Sequence, residues 1–365
     1  MKNVLHKKGD LIGDRYAIES DIGQGGMQEV YRARDKLLGR EVALKVPKSS
    51  SAEKRFKRSA VLSGKVNHAN VAKTLDYLEE NKRFYLVEEM IEGCDLAQLL
   101  ADYVPRVDPY VAARALHHLA KGVAASHHVD VVHRDLKPSN VMVVGGPSVA
   151  SFKITDFGIA KMAEKEIGDA VEGGSAGLTA SQTALGALPY MAPEMIEDLK
   201  QAGKPADIWA LGAMTLELLT GTRPFGQGYK AVPAIMSAKL PDLPKNLVSN
   251  PQYSPLANEI YLIVQECMKK TPEDRLTADE VVEACEALCY NVSTREFGTI
   301  HSFNFKKYGF VRSEDPSKSD VFYHIDSVYG ANTVTVGQRV WFSRYPGAPR
   351  DRAFPVVPAI SEDPF

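Results

Sequence analysis

Two acidic residues stand in short motifs whose neighbours supply the groups that phosphoryl transfer requires. Asp135 lies in the run HRDLKPSN at residues 133–140, where Lys137 and Asn140 follow it. This loop therefore carries a base, a cation that can face a phosphate and an oxygen ligand for a metal ion. Asp156 begins an Asp-Phe-Gly tripeptide and supplies a further anionic oxygen, the kind of ligand that Mg²⁺ prefers. Either motif alone is weak evidence for phosphoryl transfer. The two in this order, after a glycine-rich loop and a strand lysine, are strong evidence for it.

A glycine-rich turn and a strand lysine precede both motifs. The glycines Gly23, Gly25 and Gly26 allow backbone N–H groups to approach phosphate oxygens without obstruction by side chains. A turn of this kind is by itself commonly only a hairpin. Here an apolar segment at residues 42–46 follows it, and the Lys45 of that segment can pair with phosphates.

The composition is that of an ordinary globular protein. The chain has 365 residues, which suggests about two domains. Its 44% hydrophobic and 25% charged residues are typical of folded soluble proteins. A net charge of −2 provides no overall attraction to nucleic acid or to an anionic membrane, so any basic surface must be local. The four cysteines lack the spacing of metal ligands or of a disulfide framework.

The sequence predicts no membrane segment. No apolar run approaches the roughly eighteen residues needed to span a bilayer. The polar N-terminus, residues 1–10, lacks the hydrophobic region of a signal peptide. We therefore expect a cytoplasmic protein without a membrane partner.

Hydrophobic periodicity predicts a first module that mixes strands and helices. Residues 15–46 predict three strands around the glycine turn, and residues 84–88 predict a buried strand. Helical spacing predicts four helices, at 52–65, beyond residue 109, around 205–220 and at 277–290. The intervening residues 165–187 are mostly small and polar, which predicts a long flexible segment.

After residue 291 the pattern changes to short alternating strands separated by turn-forming residues. The predicted strands are residues 298–305, 308–311, 321–325 and 339–342. This pattern indicates a second, all-β module joined to the first by a short linker.

The motifs of the first module and their order resemble the bacterial eukaryotic-like (Hanks-type) Ser/Thr protein kinases. The resemblance covers residues 14–290, the ordinary size of that catalytic domain. It includes an Ala-Pro-Glu motif at residues 192–194, which looks like the end of an activation segment. Arg275 would pair with the Glu194 of that motif. The resemblance implies an α+β, bilobal kinase fold that acts on protein substrates.

The resemblance also implies a role for each residue of the two acidic motifs. Asp135 would orient or deprotonate the substrate hydroxyl, and Lys137 would stabilise the phosphoryl group that moves. Asn140 and Asp156 would hold Mg²⁺, while Lys45 would position the α and β phosphates. The alternative is an inactive pseudokinase, which usually lacks one of these Lys, Asp or Asn residues. None of them is missing here.

The cofactors implied by the resemblance are ATP and Mg²⁺. Adenine would bond to the hinge backbone and lie between two apolar side chains, one from each lobe. The implied ATP-binding residues are Ile22, Gly23, Gly25, Gly26, Val30, Ala43, Lys45, Glu88, Glu89, Ile91 and Met142.

Two departures from the family pattern concern the partner of Lys45. The helix position that normally carries a Glu falls on Ser59, which would leave Lys45 without its usual carboxylate. The pocket-facing gatekeeper position, normally apolar, falls on Glu88, where an unpaired carboxylate would be costly. We hypothesise that Glu88 replaces the missing carboxylate. In the alternative, the alignment is wrong by one residue and Glu88 faces solvent.

Two further features concern control of activity. Ala187 stands where Ser/Thr kinases normally have a threonine that bonds the catalytic Asp and Lys, so we expect lower efficiency or looser hydroxyl specificity. Arg134, beside Asp135, suggests regulation by phosphorylation, because a phosphate in the segment at residues 165–187 would give it a partner. The candidate phosphorylation sites are Thr179, Ser181 and Thr183, although such residues are often only flexible filler.

The second module, residues 295–358, resembles a cold-shock domain, a small all-β OB-type barrel that binds single-stranded RNA or DNA. The segments that carry this resemblance are residues 298–304, 307–311 and 320–324. Strand alternation places Tyr308 with Phe310, and Phe322 with His324, on shared faces. The predicted base-stacking residues are Phe303, Tyr308, Phe310, Phe322 and His324.

Two features of this module depart from the cold-shock pattern. Ser302 stands where the family usually has a stacking Trp, and Ile325 where it often has Phe. Residues 293–358 carry nine Lys and Arg against six Asp and Glu, so the module is only modestly basic. The barrel could therefore bind a protein or dock on the kinase domain instead, or an inactive kinase could serve as a scaffold for it.

Overall fold

A computed structural model shows a two-lobed domain followed by a five-stranded barrel. It describes residues 5–24, 28–48, 56–57, 60–157, 186–198 and 201–360. Several residues singled out above lie outside the described residues: Gly25, Gly26, Ser59, Thr179, Ser181 and Thr183. The segment predicted to be flexible, residues 165–187, also lies outside them except for its last two residues.

The N-terminal lobe is an antiparallel sheet. Its strands are β1 (Leu11–Ile12), β2 (Tyr16–Gln24), β3 (Gln28–Asp35), β4 (Arg40–Pro47), β5 (Thr74–Glu80) and β6 (Arg83–Glu89). The order across the sheet is β1-β2-β3-β4-β6-β5. In β3 buried and partly exposed residues alternate, as expected for a strand with one face on a core. The predicted strands over 15–46 and 84–88 are confirmed.

The helix predicted at 52–65 is described only in part. Residues 56–57 and 60–63 are helical. Phe56 and Ala60 form a small apolar cluster with Leu86 of β6, so the described part of this helix packs on the sheet.

The second lobe is mainly helical and carries a small sheet beside the cleft. Its strands are β7 (Gly93–Asp95), β8 (Val141–Val144) and β9 (Ser151–Ile154), and residues 99–103 form one π-helical turn. Its α-helices are α1 (Leu96–Gln98), α2 (Pro109–His128), α3 (Pro193–Glu197), α4 (Lys204–Thr220), α5 (Val232–Ser237), α6 (Lys245–Val248), α7 (Ser254–Cys267) and α8 (Ala278–Glu286). The helices predicted beyond residue 109, around 205–220 and at 277–290 are confirmed, although the last ends at Glu286.

Helix α4 is the centre of this lobe. Nearly all of its residues are buried, including Trp209, which is the pattern of a helix surrounded by other elements. It ends at Gly221, whose φ of 74° is the left-handed conformation that commonly closes a helix. Because α4 is surrounded, it provides a fixed support for the loops at the cleft.

The C-terminal barrel is closed. Its strands are β10 (Glu296–Asn304), β11 (Tyr308–Ser313), β12 (Val321–His324), β13 (Arg339–Tyr345) and β14 (Arg352–Pro358), in the order β10-β11-β12-β14-β13. The four predicted strands are confirmed, while β14 has no counterpart among them. The predicted fold class, a bilobal kinase fold followed by an OB-type barrel, is confirmed. Within the described residues, no helix is long and apolar enough to cross a membrane.

One wall of the barrel packs against the helical lobe. Tyr329, Trp341 and Val357 of the barrel belong to the same buried apolar cluster as the core of that lobe. The indole Nε1 of Trp341 donates to the carbonyl of Pro147 over 2.8 Å, and the Tyr329 hydroxyl donates to the carbonyl of Leu219 over 3.1 Å. The barrel is therefore docked, and its apolar wall continues the core of the lobe.

A buried ion pair fixes the docked barrel. Arg295 donates to a carboxylate oxygen of Asp108 over 2.7 Å, and the two side chains are 3% and 0% exposed. The same Asp108 caps the start of α2 by accepting from the backbone of Tyr110. The Arg295 guanidinium also lies 5.0 Å from the centre of the Trp341 ring. One carboxylate thus serves both a helix of the kinase lobe and the docking of the barrel.

We predict that Arg295→Ala lowers the free energy of unfolding by about 3–5 kcal/mol, because it leaves the Asp108 carboxylate buried without a charged partner. Denaturant unfolding followed by tryptophan fluorescence measures this, since Trp341 lies at the docking surface. The matched control is Lys204→Ala, which breaks the exposed pair with Asp130 and should cost under about 1 kcal/mol. Equal, small effects of the two substitutions would contradict the role given to Arg295.

Candidate active site

Lys45 is buried in the cleft between two carboxylates. Its Nζ lies 2.6 Å from Oε2 of Glu88 and 2.7 Å from Oδ1 of Asp156. Strand pairing sets Lys45 opposite Leu86, so Glu88, two residues further along β6, points to the same face of the sheet. Glu88 is 3% exposed. The hypothesised pair of Glu88 with Lys45 is thus present, and the alternative in which Glu88 faces solvent is wrong.

Burial opposes the charged form of all three groups, but their neighbours shift the three pKa values differently. Burial opposes the charged form of Lys45, but Asp156 and Glu88 outweigh it and raise the pKa of the lysine. Burial raises the pKa of Glu88, and the attraction of Lys45 offsets this only in part. Burial also acts to raise the pKa of Asp156, yet the charge of Lys45 and two hydrogen bonds lower it overall. Asp156 is therefore the carboxylate that most firmly keeps its negative charge.

One buried carboxylate of α4 holds the catalytic loop by hydrogen bonds to its backbone. Asp207 accepts from the backbone N–H groups of His133 and Arg134, both over 2.8 Å, and its side chain lies 3.0 Å from His127 Nε2. Arg134 has a φ of 68°, a sparsely populated conformation that these bonds maintain. The strained backbone turns the next residue, Asp135, into the cleft.

Asp135 is held by the two residues that the motif predicts. Lys137 Nζ lies 3.0 and 2.8 Å from the two carboxylate oxygens of Asp135. Asn140 Nδ2 donates to the Asp135 carbonyl over 2.7 Å and to its Oδ2 over 3.1 Å. Oδ2 therefore accepts two hydrogen bonds and Oδ1 accepts one, which leaves Oδ1 the freer acceptor for a substrate hydroxyl.

Asn140 and Asp156 come together through Thr155. The backbone N–H of Thr155 donates to the carbonyl of Asn140 over 2.9 Å, and the Thr155 carbonyl lies 2.9 Å from His133 Nε2. Asp156 then adopts a φ of 61°, again in the left-handed region. These contacts join the two acidic motifs into one unit.

The oxygens of this unit fit Mg²⁺. The amide nitrogen of Asn140 is occupied by Asp135, so its Oδ1 is the side-chain atom that remains for a cation. Among the described residues, no cluster of three or more His, Cys, Asp and Glu could hold a metal by itself. Mg²⁺ typically uses one or two carboxylates together with phosphates of the substrate.

Three of the predicted adenine-pocket residues lie on strands of the two lobes. Ala43 on β4 lies directly opposite Glu88 in the strand register, and Val30 on β3 lies opposite Lys45. Met142 is partly exposed on β8, opposite Asp95. The connection at residues 90–92 joins β6 to β7 without regular structure. Beside it, Glu89 forms an ion pair with Lys153 at 2.6 Å.

The predicted pair of Glu194 with Arg275 is confirmed. Two parallel hydrogen bonds of 2.7 Å join the guanidinium to the carboxylate, both groups are buried, and the guanidinium also lies 5.1 Å from the centre of the Trp209 ring. Bidentate pairs of this kind are the strong ones. This pair fixes helix α3, which contains Glu194.

Two residues near Asp135 bear on control. The Arg134 side chain has a buried Nε without a hydrogen-bond partner within the described ranges. Ala187 is buried and lines a pocket with Arg134 and Asp135. In the position of the usual threonine, the methyl group of Ala187 offers Asp135 and Lys137 no hydrogen bond.

Sequence analysis missed Gln28. The spacing Gly-x-Gly-x-x-Gly-x-Val places a third glycine at this position, and the chain has Gln instead. Its side-chain Nε2 donates to Oδ1 of Asp156 over 3.0 Å. The departure from the glycine pattern was the available signal.

The barrel carries an aromatic platform made of Tyr308, Phe310, Phe322 and His324. In the register of β11 and β12, Tyr308 lies opposite His324, and Phe310 lies opposite Phe322, so all four share one face. The Phe322 ring centre lies 6.0 Å from those of both Tyr308 and Phe310. The four side chains remain partly exposed while the barrel is docked.

The structure does not bring Phe303 to this platform. Phe303 lies opposite Gly309 in the register, which places it on the other face from Tyr308 and Phe310. There it stacks on the buried Tyr323, with ring centres 6.3 Å apart. Phe305, which sequence analysis did not select, is 84% exposed and lies 6.2 Å from the Tyr308 ring. Phe303 was thus a wrong choice for the platform, and Phe305 extends it.

Two arginines cover the platform, and sequence analysis also missed them. The Arg350 guanidinium lies 5.5 Å from the centre of the Phe310 ring, and that of Arg352 lies 5.4 Å from the Phe322 ring. Both distances are within the range of cation–π contacts. The pair adds local positive charge at the aromatic surface. Arg352 begins β14, whereas Arg350 lies in the bend before it, so strand alternation gave no signal for the pair.

The fold and the site define a protein kinase domain with an appended cold-shock barrel, and comparison with known families agrees. The protein kinase domain profile matches residues 16–285, and the profile of the 'cold-shock' DNA-binding domain matches residues 296–359. The chain therefore belongs to the protein kinase family.

Similar curated proteins are bacterial kinases. The serine/threonine-protein kinase PkaA of Streptomyces coelicolor is 28% identical over 89% of this chain and 59% of its own length. The serine/threonine-protein kinase PrkC of Bacillus subtilis is 32% identical, over 76% of this chain and 40% of its own length. The chain spans about half the length of the curated relatives that it matches.

We predict that Glu88→Met lowers kcat/KM for ATP roughly ten- to hundredfold, because a hydrogen bond to a charged group contributes about 1.5–3 kcal/mol. Steady-state kinetics at varied ATP measures this. Adding Ser59→Glu, which restores a carboxylate at the usual position of the family, should recover much of the loss. The matched control is Glu79→Met, at an exposed position of β5. An unchanged kcat/KM in Glu88→Met would refute the role of Glu88.

Proposed function

We propose that the chain is an ATP- and Mg²⁺-dependent protein kinase that phosphorylates Ser and Thr hydroxyls of protein substrates. The observation that carries this proposal is the arrangement of Asp135, which Lys137 and Asn140 hold with one carboxylate oxygen left freer than the other. A carboxylate placed in this way can orient an alcohol and accept its proton.

Each described residue of the cleft has a distinct task in this proposal. Asp135 Oδ1 accepts the hydrogen bond of the substrate hydroxyl, which aligns its oxygen for attack. Lys137, already beside that carboxylate, places a positive charge where the transferred group passes. Lys45, held by Glu88, binds phosphate oxygens of the nucleotide. Bound at Asn140 and Asp156, Mg²⁺ would neutralise charge on the phosphates.

Ligand contacts in the adenine pocket are also proposed. Ala43 and Met142 come from the two lobes and would enclose the adenine ring, and the hinge backbone from Glu89 to Ile91 would bond its edge. Ile22 and Val30 on β2 and β3 would cover the nucleotide from above. We propose residues 14–290 as the kinase domain and 295–358 as the barrel domain, close to the ranges matched by the two family profiles.

Regulation through Arg134 belongs to the same proposal. Its Nε has no hydrogen-bond partner among the described residues, although the atom is buried. A phosphate on Thr179, Ser181 or Thr183 would supply one, together with a countercharge. The cytoplasmic location remains a prediction.

An inactive pseudokinase finds no support. Lys45, Asp135, Asn140 and Asp156 are all present and lie in one connected network. Such completeness is expected of a site that performs the reaction.

We predict that Asp135→Asn lowers the rate of phosphoryl transfer about 10²–10⁴-fold, because the amide accepts no proton. Transfer of ³²P from ATP to a generic basic protein measures the rate. The matched control is Asp130→Asn, in the same loop region but with a 90% exposed side chain, which should leave the rate unchanged. Wild-type activity in Asp135→Asn would overturn the proposal.

We further propose that the barrel binds single-stranded RNA or DNA. The aromatic platform offers ring faces for stacking of bases, and Arg350 and Arg352 beside it supply charge for phosphates. Docking of the barrel on the kinase domain uses a different wall. The docked wall contains Trp341 and Tyr329, while the platform residues stay partly exposed.

We predict that Phe310→Ala and Phe322→Ala each weaken oligonucleotide binding by about 1–3 kcal/mol, because each removes a stacking surface. Arg350→Ala and Arg352→Ala should each make the slope of log K against log salt concentration shallower by about 0.7, the value for one phosphate contact on a single strand. Fluorescence anisotropy with a labelled single strand at several salt concentrations measures both effects. Lys36→Ala, at an exposed position of the kinase domain, is the control for charge. Binding that survives Phe310→Ala combined with Phe322→Ala would exclude the platform.

A further inference from the structure

Gln28 reaches from the start of β3 across the cleft to the metal-binding motif. Its side-chain Nε2 donates to Oδ1 of Asp156 over 3.0 Å, although 128 positions separate the two residues. Gln28 directly follows the glycine-rich turn, where a glycine would have no side chain to make such a contact. The contact therefore belongs to this chain's own version of the turn.

The oxygen that Gln28 contacts is already in use. Oδ1 of Asp156 also lies 2.7 Å from Lys45 Nζ, and Lys45 is in turn 2.6 Å from Glu88. Four side chains thus form a continuous polar chain from the glycine-rich turn to the gatekeeper position. Two donors on one carboxylate oxygen fill most of its acceptor capacity.

A hydrogen-bond donor and a divalent cation compete for such an oxygen. Both approach its lone pairs with positive charge, and an amide NH₂ that faces the oxygen would repel a cation at the same place. Lys45 can move its contact to phosphate oxygens when a nucleotide binds, because an ammonium group rotates and has three donors. The side-chain amide of Gln28 is neutral, so it gains less free energy than the Lys45 ammonium group from exchanging the carboxylate for a phosphate oxygen.

We propose that Gln28 is a positioning residue that holds Asp156 and competes with the divalent cation for its carboxylate. Gln28 would have to release this carboxylate oxygen for the cation to bind there. This regulation rests on the proposed function, since it concerns the same nucleotide site. Its direct consequence is a raised Mg²⁺ requirement.

The test measures Mg²⁺-dependent binding of a fluorescent ATP analogue to the full chain. Gln28→Ala removes the side chain, and Gln28→Met keeps much of its length without the amide. Both should lower the Mg²⁺ concentration at half-maximal binding roughly ten- to hundredfold, as expected for the loss of one competing hydrogen bond to a charged group. Affinity for the analogue without Mg²⁺ should change much less. Gln227→Met, at an exposed position of the other lobe, is the matched control.

The outcomes separate this proposal from the proposed function. A wild-type chain without any Mg²⁺-dependent binding overturns the nucleotide site itself, and the role of Gln28 with it. If the wild type binds but both variants need as much Mg²⁺ or more, only the role of Gln28 is overturned. A shift in Gln28→Ala without one in Gln28→Met also overturns it, because bulk and not the hydrogen bond would then be the cause.

Discussion

The cleft depends on the charge balance around one buried ammonium group, that of Lys45. Removing a charge from water is costly unless partners of opposite charge surround it. Here the partners are Glu88 on the neighbouring strand and Asp156 after β9, at 2.6 and 2.7 Å. Glu88 belongs to the same sheet as Lys45, whereas Asp156 belongs to the second lobe, so the attraction between Asp156 and Lys45 joins the two lobes where the nucleotide would bind.

Buried carboxylates also join distant segments at three other places. A carboxylate of α4, Asp207, holds the backbone of the catalytic loop, and the Glu194–Arg275 pair fixes the chain beyond the loop. Arg295 and Asp108 join the barrel to the helical lobe. Each pair is buried, so each would be costly if broken. The apolar cores give the modules their stability, while these pairs define how segments far apart in sequence are placed.

Much of this could be predicted from the sequence, because short motifs carry their own geometry. The two acidic motifs are local, and the pairing of Glu88 with Lys45 follows from strand register. Contacts between distant segments were predicted only where the family resemblance supplied them, as for Glu194 with Arg275. The contact of Gln28 could be found only once the position of Asp156 was known. The docking wall around Trp341 could not be recognised, because its sequence is that of an ordinary apolar strand. The choice of Phe303 failed for a definite reason: β10 has a register shift between Ile300 and Ser302, and a shift of one residue exchanges the faces of a strand.

The most direct test of the account is a crystal structure of the chain with Mg²⁺ and a non-hydrolysable ATP analogue. The account predicts that Glu88 stays within about 4 Å of Lys45 Nζ, the limit for an ion pair, while the ammonium group also contacts phosphate oxygens. A structure in which Glu88 points to solvent, and Lys45 is held by a different carboxylate or by none, would contradict it.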